Sequence, residues 1–207
     1  MNKKSILELL KNTLIMLAIT VIAGGILGVV YEVTKDPISK MEIEAKNEAN
    51  RAVFVNAASF SEDILDKDAM EKCFKDIYEG VDVTEVLEAK SSSGDLLGYV
   101  FEITTHEGYG GDIVFRAGFQ VDGTINGISI TSISETAGLG MRAEEVIVPQ
   151  FVERRADNFE VVKNGASLDN QIDAISSATI TSKAIVKGVN AGLTYLREVL
   201  GGGVVNE

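Results

Sequence analysis

From Thr13 to Tyr31 the chain runs nineteen residues without a charged side chain, TLIMLAITVIAGGILGVVY. At about 1.5 Å per residue, a helix of that length nearly spans a hydrocarbon core of roughly 30 Å and pairs its own backbone groups within it. The stretch predicts a transmembrane helix over 12–32, preceded by a tail at 1–11. A cleaved leader is the competing reading, but leaders have apolar cores of roughly 7–15 residues and a small-x-small cleavage site. Val29-Val30-Tyr31-Glu32 offers no such site. Orientation follows from the flanks: Lys3, Lys4 and Lys11, opposed by Glu8, precede the stretch, and Glu32, Lys35 and Asp36 follow it. The positive-inside rule places the tail in the cytoplasm and everything after about residue 32 outside it, giving a single-pass protein of the cell membrane. Gly24 and Gly28 form a G-x-x-x-G pair, which either admits a partner helix or reflects the ordinary frequency of glycine in such segments.

Beyond the anchor the chain is acidic. Residues 1–37 sum to +1 and residues 38–207 to −13, within a total of −12. Such a charge repels a phosphate backbone, so no nucleic-acid partner is expected. One cysteine, Cys73, and one histidine, His106, cannot supply a thiolate zinc site, an iron–sulfur cluster or a His-rich metal centre, so no metal site is expected. Ser–His and Cys–His hydrolase designs are equally poor fits, and no catalytic residue is assigned. Cys73 reads as a small core residue, and the acidic run Ser61-Glu-Asp-Ile-Leu-Asp-Lys-Asp as solvated surface or a helix start.

Periodicity divides the remainder. Ile38 to Val55 reads as a helix continuing outward, part of a helical stalk and linker at 33–80. Lys72 to Tyr78 is ambiguous. Alternation begins near Val83, and Asp122-Gly123 lies between two alternating apolar runs, the signature of a tight hairpin. A helical pattern returns over Ala143 to Phe159, interrupted by Pro149, and a last helix starting near Thr181 or Ser182 carries Ile185, Val189, Leu193, Leu196 and Leu200 to the glycines at 201–203. The expected fold class is α+β: an antiparallel sheet with flanking helices in a domain at 81–207, behind a single N-terminal transmembrane helix.

Three short segments carry chemistry. Asp173-Ala-Ile-Ser176-Ser177-Ala178-Thr179-Ile-Thr181-Ser182 precedes the last helix, where unpaired amides and the positive end of the helix dipole suit a phosphate. Physics alone also allows Thr181 or Ser182 to be a plain helix cap. Glu135-Thr136-Ala137-Gly138-Leu139-Gly140 is compatible with an ordinary tight turn, and Gly108-Tyr109-Gly110-Gly111 with a flexible one.

The run Asp173-x-x-Ser176-Ser177-Ala178-Thr179 resembles the flavinylation motif Asp-x-x-Ser/Thr-Gly-Ala-Thr, with Ser177 at the glycine position. Glu135-Thr136-Ala137-Gly138-Leu139-Gly140 resembles the Glu-Thr-Pro-Gly-Leu-Gly segment of the FMN-binding domain found in the G subunit of Rnf complexes and the C subunit of sodium-pumping NADH:quinone reductases, with Ala137 for proline. Gly108-Tyr109-Gly110-Gly111 is similar to the Gly-Tyr-x-Gly of the same domain. The order of anchor, hairpin and motifs, together with the chain length, points to the family of Rnf G subunits.

That resemblance implies FMN joined through its phosphate to Thr179 by a flavin transferase. It implies cofactor contacts from Asp173, Ser176, Ser177, Ala178, Thr181, Glu135, Thr136, Gly138, Leu139, Gly140 and Tyr109. It further implies an electron relay, without stand-alone catalysis, in an ion-translocating ferredoxin:NAD oxidoreductase whose other membrane and iron–sulfur subunits are its partners, with Na⁺ or H⁺ as the coupling ion. A membrane-tethered FMN domain serving an extracytoplasmic reductase is the alternative, and an anchored scaffold without cofactor the third.

Overall fold

The computed structural model describes residues 3–75 and 77–203. The first two residues of the expected tail and the last four of the expected 81–207 domain lie outside the described residues. The chain divides into two compact units, Met1–Ala45 and Lys46–Glu207. One helix, α1 (Lys3–Val53), contributes to both.

In the first unit α1 is long and apolar enough to cross a membrane, and its side chains from Leu10 to Val33 are exposed. Its hydroxyls turn inward on the helix: Thr20 Oγ1 donates to Met16 O at 2.9 Å and Thr34 Oγ1 to Val30 O at 2.8 Å. At Thr20, inside the apolar stretch, such back-bonding satisfies a hydroxyl that has no other polar partner nearby among the described residues. Pro37 lies inside the helix, so the helical stretch begins ahead of Ile38 rather than after the proline.

The second unit is built on a five-stranded antiparallel sheet in sequential order: β1 (Ser59–Phe60), β2 (Val81–Lys90), β3 (Leu96–Thr105), β4 (Ile113–Gln120) and β5 (Ile125–Ile133). Between β4 and β5, Gly123 takes φ +86°, which a tight turn requires, and Asp122 Oδ1 accepts the Thr124 amide at 2.9 Å. That amide holds the Asp122 carboxyl below its usual range.

Two short helices, α2 (Lys67–Phe74) and α3 (Ala143–Val146), and a parallel strand pair, β6 (Glu160–Val162) with β7 (Gln171–Asp173), precede α4 (Thr179–Glu198). The acidic run is a helix start: Asp66 Oδ1 caps α2 by accepting the Ala69 amide. Over Ala143 to Phe159 the helical expectation reduces to α3 and a 3₁₀ turn at Val148–Gln150. Pro149 lacks the amide that a continuing helix needs, and the chain turns instead to cap the outer edge of β5, where the Ile125 amide donates to Arg154 O at 2.8 Å. Cys73 is half-buried against the core, and burial, then the Glu198 charge, pushes its thiol up.

The main core lies between one sheet face and α4, where Phe101, Ile103, Phe115 and Phe119 are fully buried. Gly188 and Gly192, four residues apart on α4, let those rings reach the helix backbone: a Cβ on either would come within 2.8–2.9 Å of the Phe115 or Phe119 ring. The opposite face is covered by the end of α1, with Val53 and Phe54 packed on Leu87, Ala89 and Val100. The compact unit therefore begins at Lys46, inside the segment read from the sequence as stalk.

Candidate functional site

The three segments that the sequence singles out meet at one cavity of about 570 Å³. One wall is Ser177, Ala178, Thr179, Ile180 and Thr181, the entry into α4; a second is Glu135, Thr136, Leu139 and Gly140; Tyr109 forms the rim.

Each wall is a turn of the same design. Thr136 O accepts the Leu139 amide at 3.1 Å with Gly138 at φ +77°, and Ile175 O accepts the Ala178 amide at 2.9 Å with Ser177 at φ +65°. A positive φ at the third residue is the type II pattern, which favours glycine there and proline at the second position. Ser177 therefore holds a conformation that costs a serine backbone energy, and Ala137 stands where a proline would stiffen the turn.

The first wall exposes the start of α4. The first amide of the helix with a carbonyl acceptor in the protein is that of Ser182, bonded to Ala178 O at 3.1 Å, so the amides of Thr179, Ile180 and Thr181 form the free N-terminal turn. Neither Thr181 nor Ser182 caps the helix: Ala178 is the N-cap, and no side chain caps it. Ser182 Oγ instead accepts the buried Ile175 amide at 3.0 Å and donates to Ala178 O at 2.9 Å, which locks the turn onto the helix. Thr179 is the first helical residue, half-buried and facing the cavity.

The second wall fits tightly. A Cβ on Gly140 would lie 2.7 Å from Glu135 Cβ and 2.8 Å from Thr181 Oγ1, so only glycine lets the two walls touch there. Glu135 Oε1 accepts the Gly110 amide at 3.3 Å, linking the second wall to the loop that carries Tyr109.

Asp173, Ser176 and Gly138 are not among the lining residues. Asp173 Oδ1 accepts the Ala166 amide at 3.0 Å, while its backbone pairs with the Gln150 side chain. Ser176 is exposed beside Ser177, and Gly138 sets the turn behind Leu139. The sequence reading missed Ile180, which lines the cavity and is 54% exposed. Its one signal is an isoleucine on the otherwise polar first turn of an amphipathic helix. Among the described residues no group of three or more His, Cys, Asp or Glu side chains is placed to hold a metal ion.

Residues 108–194 match the family model of the FMN-binding domain, a span that contains all three cavity segments. The chain is 34% identical over 187 residues to the G subunit of the Na(+)-translocating ferredoxin:NAD(+) oxidoreductase complex of Acetobacterium woodii, covering 88% of this chain and 89% of that one. It is 32% identical to the G subunit of the proton-translocating ferredoxin:NAD(+) oxidoreductase complex of Clostridium ljungdahlii, covering 97% of each. To the G subunit of the ion-translocating oxidoreductase complex of Methanosarcina acetivorans it is 31% identical, over 91% of this chain and 95% of that one.

Proposed function

Because this chain belongs to the family of G subunits of Rnf ion-translocating oxidoreductase complexes, we propose that its cavity holds FMN tethered to Thr179 and that the domain relays electrons on the extracytoplasmic side of the membrane. The chain is an electron-transfer flavoprotein subunit of such a complex, and the remaining subunits are its partners.

The carrying observation is that Thr179, the tether residue of the flavinylation motif, is the first residue of α4 and lines the same cavity as Glu135, Thr136, Leu139 and Gly140. The residues present suit FMN. About 570 Å³ lies within the usual range of small-molecule sites, roughly 300–1,000 Å³. Free amides at Thr179 to Thr181 and the positive end of α4 suit a phosphate, and Leu139, Ile180 and Tyr109 offer apolar and aromatic surface for a ring.

Bound FMN supplies the redox chemistry that no side chain here provides. The chain's own contribution is retention, orientation and exclusion of water. In attachment, Thr179 Oγ1 forms a bond to the phosphorus of FAD that carries the flavin. The pyrophosphate P–O bond breaks, AMP leaves, and the hydroxyl proton passes to a base of the flavin transferase. The free amides at the start of α4 would hold the negative charge of such a phosphodiester, while Ser182 keeps the turn in place from below. Leu139 and Ile180 place apolar side chains on the two walls of the cavity. Orientation rests on Lys3, Lys4 and Lys11 ahead of the apolar stretch, which keep the N-terminus in the cytoplasm in a single-pass topology.

The test is in-gel flavin fluorescence after denaturation of the full chain co-expressed with a flavin transferase. A fluorescent band is expected, and Thr179→Ala should abolish it. No band from the unmodified sequence would sink the flavin reading; a band that survives Thr179→Ala would move the tether elsewhere.

A further inference from the structure

His106, the single histidine, lies at the base of the loop that carries Tyr109 to the cavity rim. It follows the end of β3, with its amide donating to Gly80 O at 2.8 Å. Its imidazole stands between two carboxylates: Nδ1 is 2.8 Å from Asp112 Oδ1, just before β4, and Nε2 is 3.0 Å from Asp82 Oδ2 on β2. Carboxylates only accept, and a neutral imidazole donates from one nitrogen alone. Both contacts are attractive only when the ring is an imidazolium. The hydrogen bond to Asp112, then that to Asp82, accordingly raises the imidazole above its usual titration range.

Beyond this clasp the loop is anchored at its start by Glu107 and at its tip by Gly110. Glu107, next in the chain, is taken up by Lys187 of α4 at 2.5 Å. Gly108, Gly110 and Gly111 leave the backbone pliant, yet it is folded closely: a Cβ on Gly110 would lie 2.1 Å from Ser134 O. The hydrogen bond from loop to cavity wall is the Gly110 amide on Glu135 Oε1, longer than usual at 3.3 Å.

We propose that His106 is a positioning residue: as an imidazolium it clasps Asp82 and Asp112, holding Tyr109 and Glu135 in place at the cofactor cavity, and on deprotonation it releases the loop. The role at the cofactor rests on the reading of this cavity as the flavin site. The loop is held at low pH and freed as pH rises through the raised titration point of His106, since one contact then sets a ring lone pair against a carboxylate. The partners are exposed, so the shift in loop population is modest, roughly two- to fivefold.

The test uses the full chain in detergent, with ring NMR signals of His106 and Tyr109 followed from acid to alkaline pH; the Tyr109 signal is assigned by its loss in Tyr109→Phe. His106 should titrate above about 6.5, and the Tyr109 signal should move with the same midpoint. Asp112→Asn and Asp82→Asn should each lower that midpoint, and His106→Asn should remove the Tyr109 transition. A His106 midpoint at or below the ordinary value, or a Tyr109 signal that ignores it, overturns the proposal. These signals need no flavin, so a chain without FMN would defeat the preceding reading while leaving the clasp itself testable. In the flavin-loaded chain, emission should change at the same midpoint; a flavin indifferent to a loop that does move overturns the role at the cofactor.

Discussion

On one face of the sheet, Phe101, Ile103, Phe115 and Phe119 meet α4 in an apolar core; on the other, Val53 and Phe54 share the surface with a buried arginine. Arg116 is fully buried beneath the end of α1. Its Nη1 donates to Asn50 Oδ1 at 2.7 Å, and its Nη2 pairs with Glu85 Oε2 at 2.8 Å and with Glu102 Oε2. Lys46, on the same stretch of helix, reaches Glu85 Oε1 at 2.6 Å. Arg116 Nε has no partner, the one buried side-chain polar atom among the described residues in that position.

Apolar burial stabilises without direction, whereas a buried ion cluster adds little net stability and penalises every arrangement that leaves it unpaired. The α4 face thus supplies cohesion, and the α1 face supplies register. Asn50 and Lys46 can meet Arg116 and Glu85 from only one rotation of the helix, and the Asn126 side chain fixes its end by donating to Val53 O.

The most severe way to break this comparison is to remove one cover altogether. A chain starting at Ser59 should fail to give a soluble, cooperatively unfolding domain, whereas one starting at Lys46 should succeed; denaturation melts of the two decide it. Next in size, Phe115→Ala on the α4 face should cost about 3–5 kcal/mol in urea unfolding. Arg116→Ala should cost less, about 2–3 kcal/mol, because Glu85 and Glu102 retain 15% and 30% side-chain exposure and can rehydrate. Arg116→Met should recover at least half of that loss while weakening the docking of the α1 end, read as faster hydrogen exchange in residues 46–53. Equal losses for the alanine and methionine variants would show that the polar cluster supplies cohesion after all. Smallest, and at the cavity, Ser177→Gly should raise stability by about 0.5–1 kcal/mol by relieving the positive φ, visible as a higher Tm.

The cavity segments were legible as local turns and a helix start, and only their resemblance to motifs of the FMN-binding domain set them apart as cofactor contacts. A type II turn marks itself by glycine at its third position, as at Gly138, and by the departures at Ala137 and Ser177. The hairpin at Asp122-Gly123 was legible for the same reason. The buried face over Arg116 was not: an arginine in an alternating strand, between Phe115 and Ala117, reads as a solvent-facing residue, and nothing near it announces the helix that covers it. The sequence starts α4 two or three residues late, because Thr181 and Ser182 look like caps. Their burial, 1% and 0% exposed, comes from packing under the preceding turn.

The sequence alone determined the apolar helix, the strand alternation and the tight turns, since each depends on spacing within a few residues. Tertiary structure decided which helix covers which sheet face, that Lys46 to Val53 belong to the compact unit, and that segments 109, 135–140 and 177–181 share one cavity. Those outcomes rest on long-range register and burial, where side chains distant in the chain satisfy or exclude one another, and no local pattern encodes them.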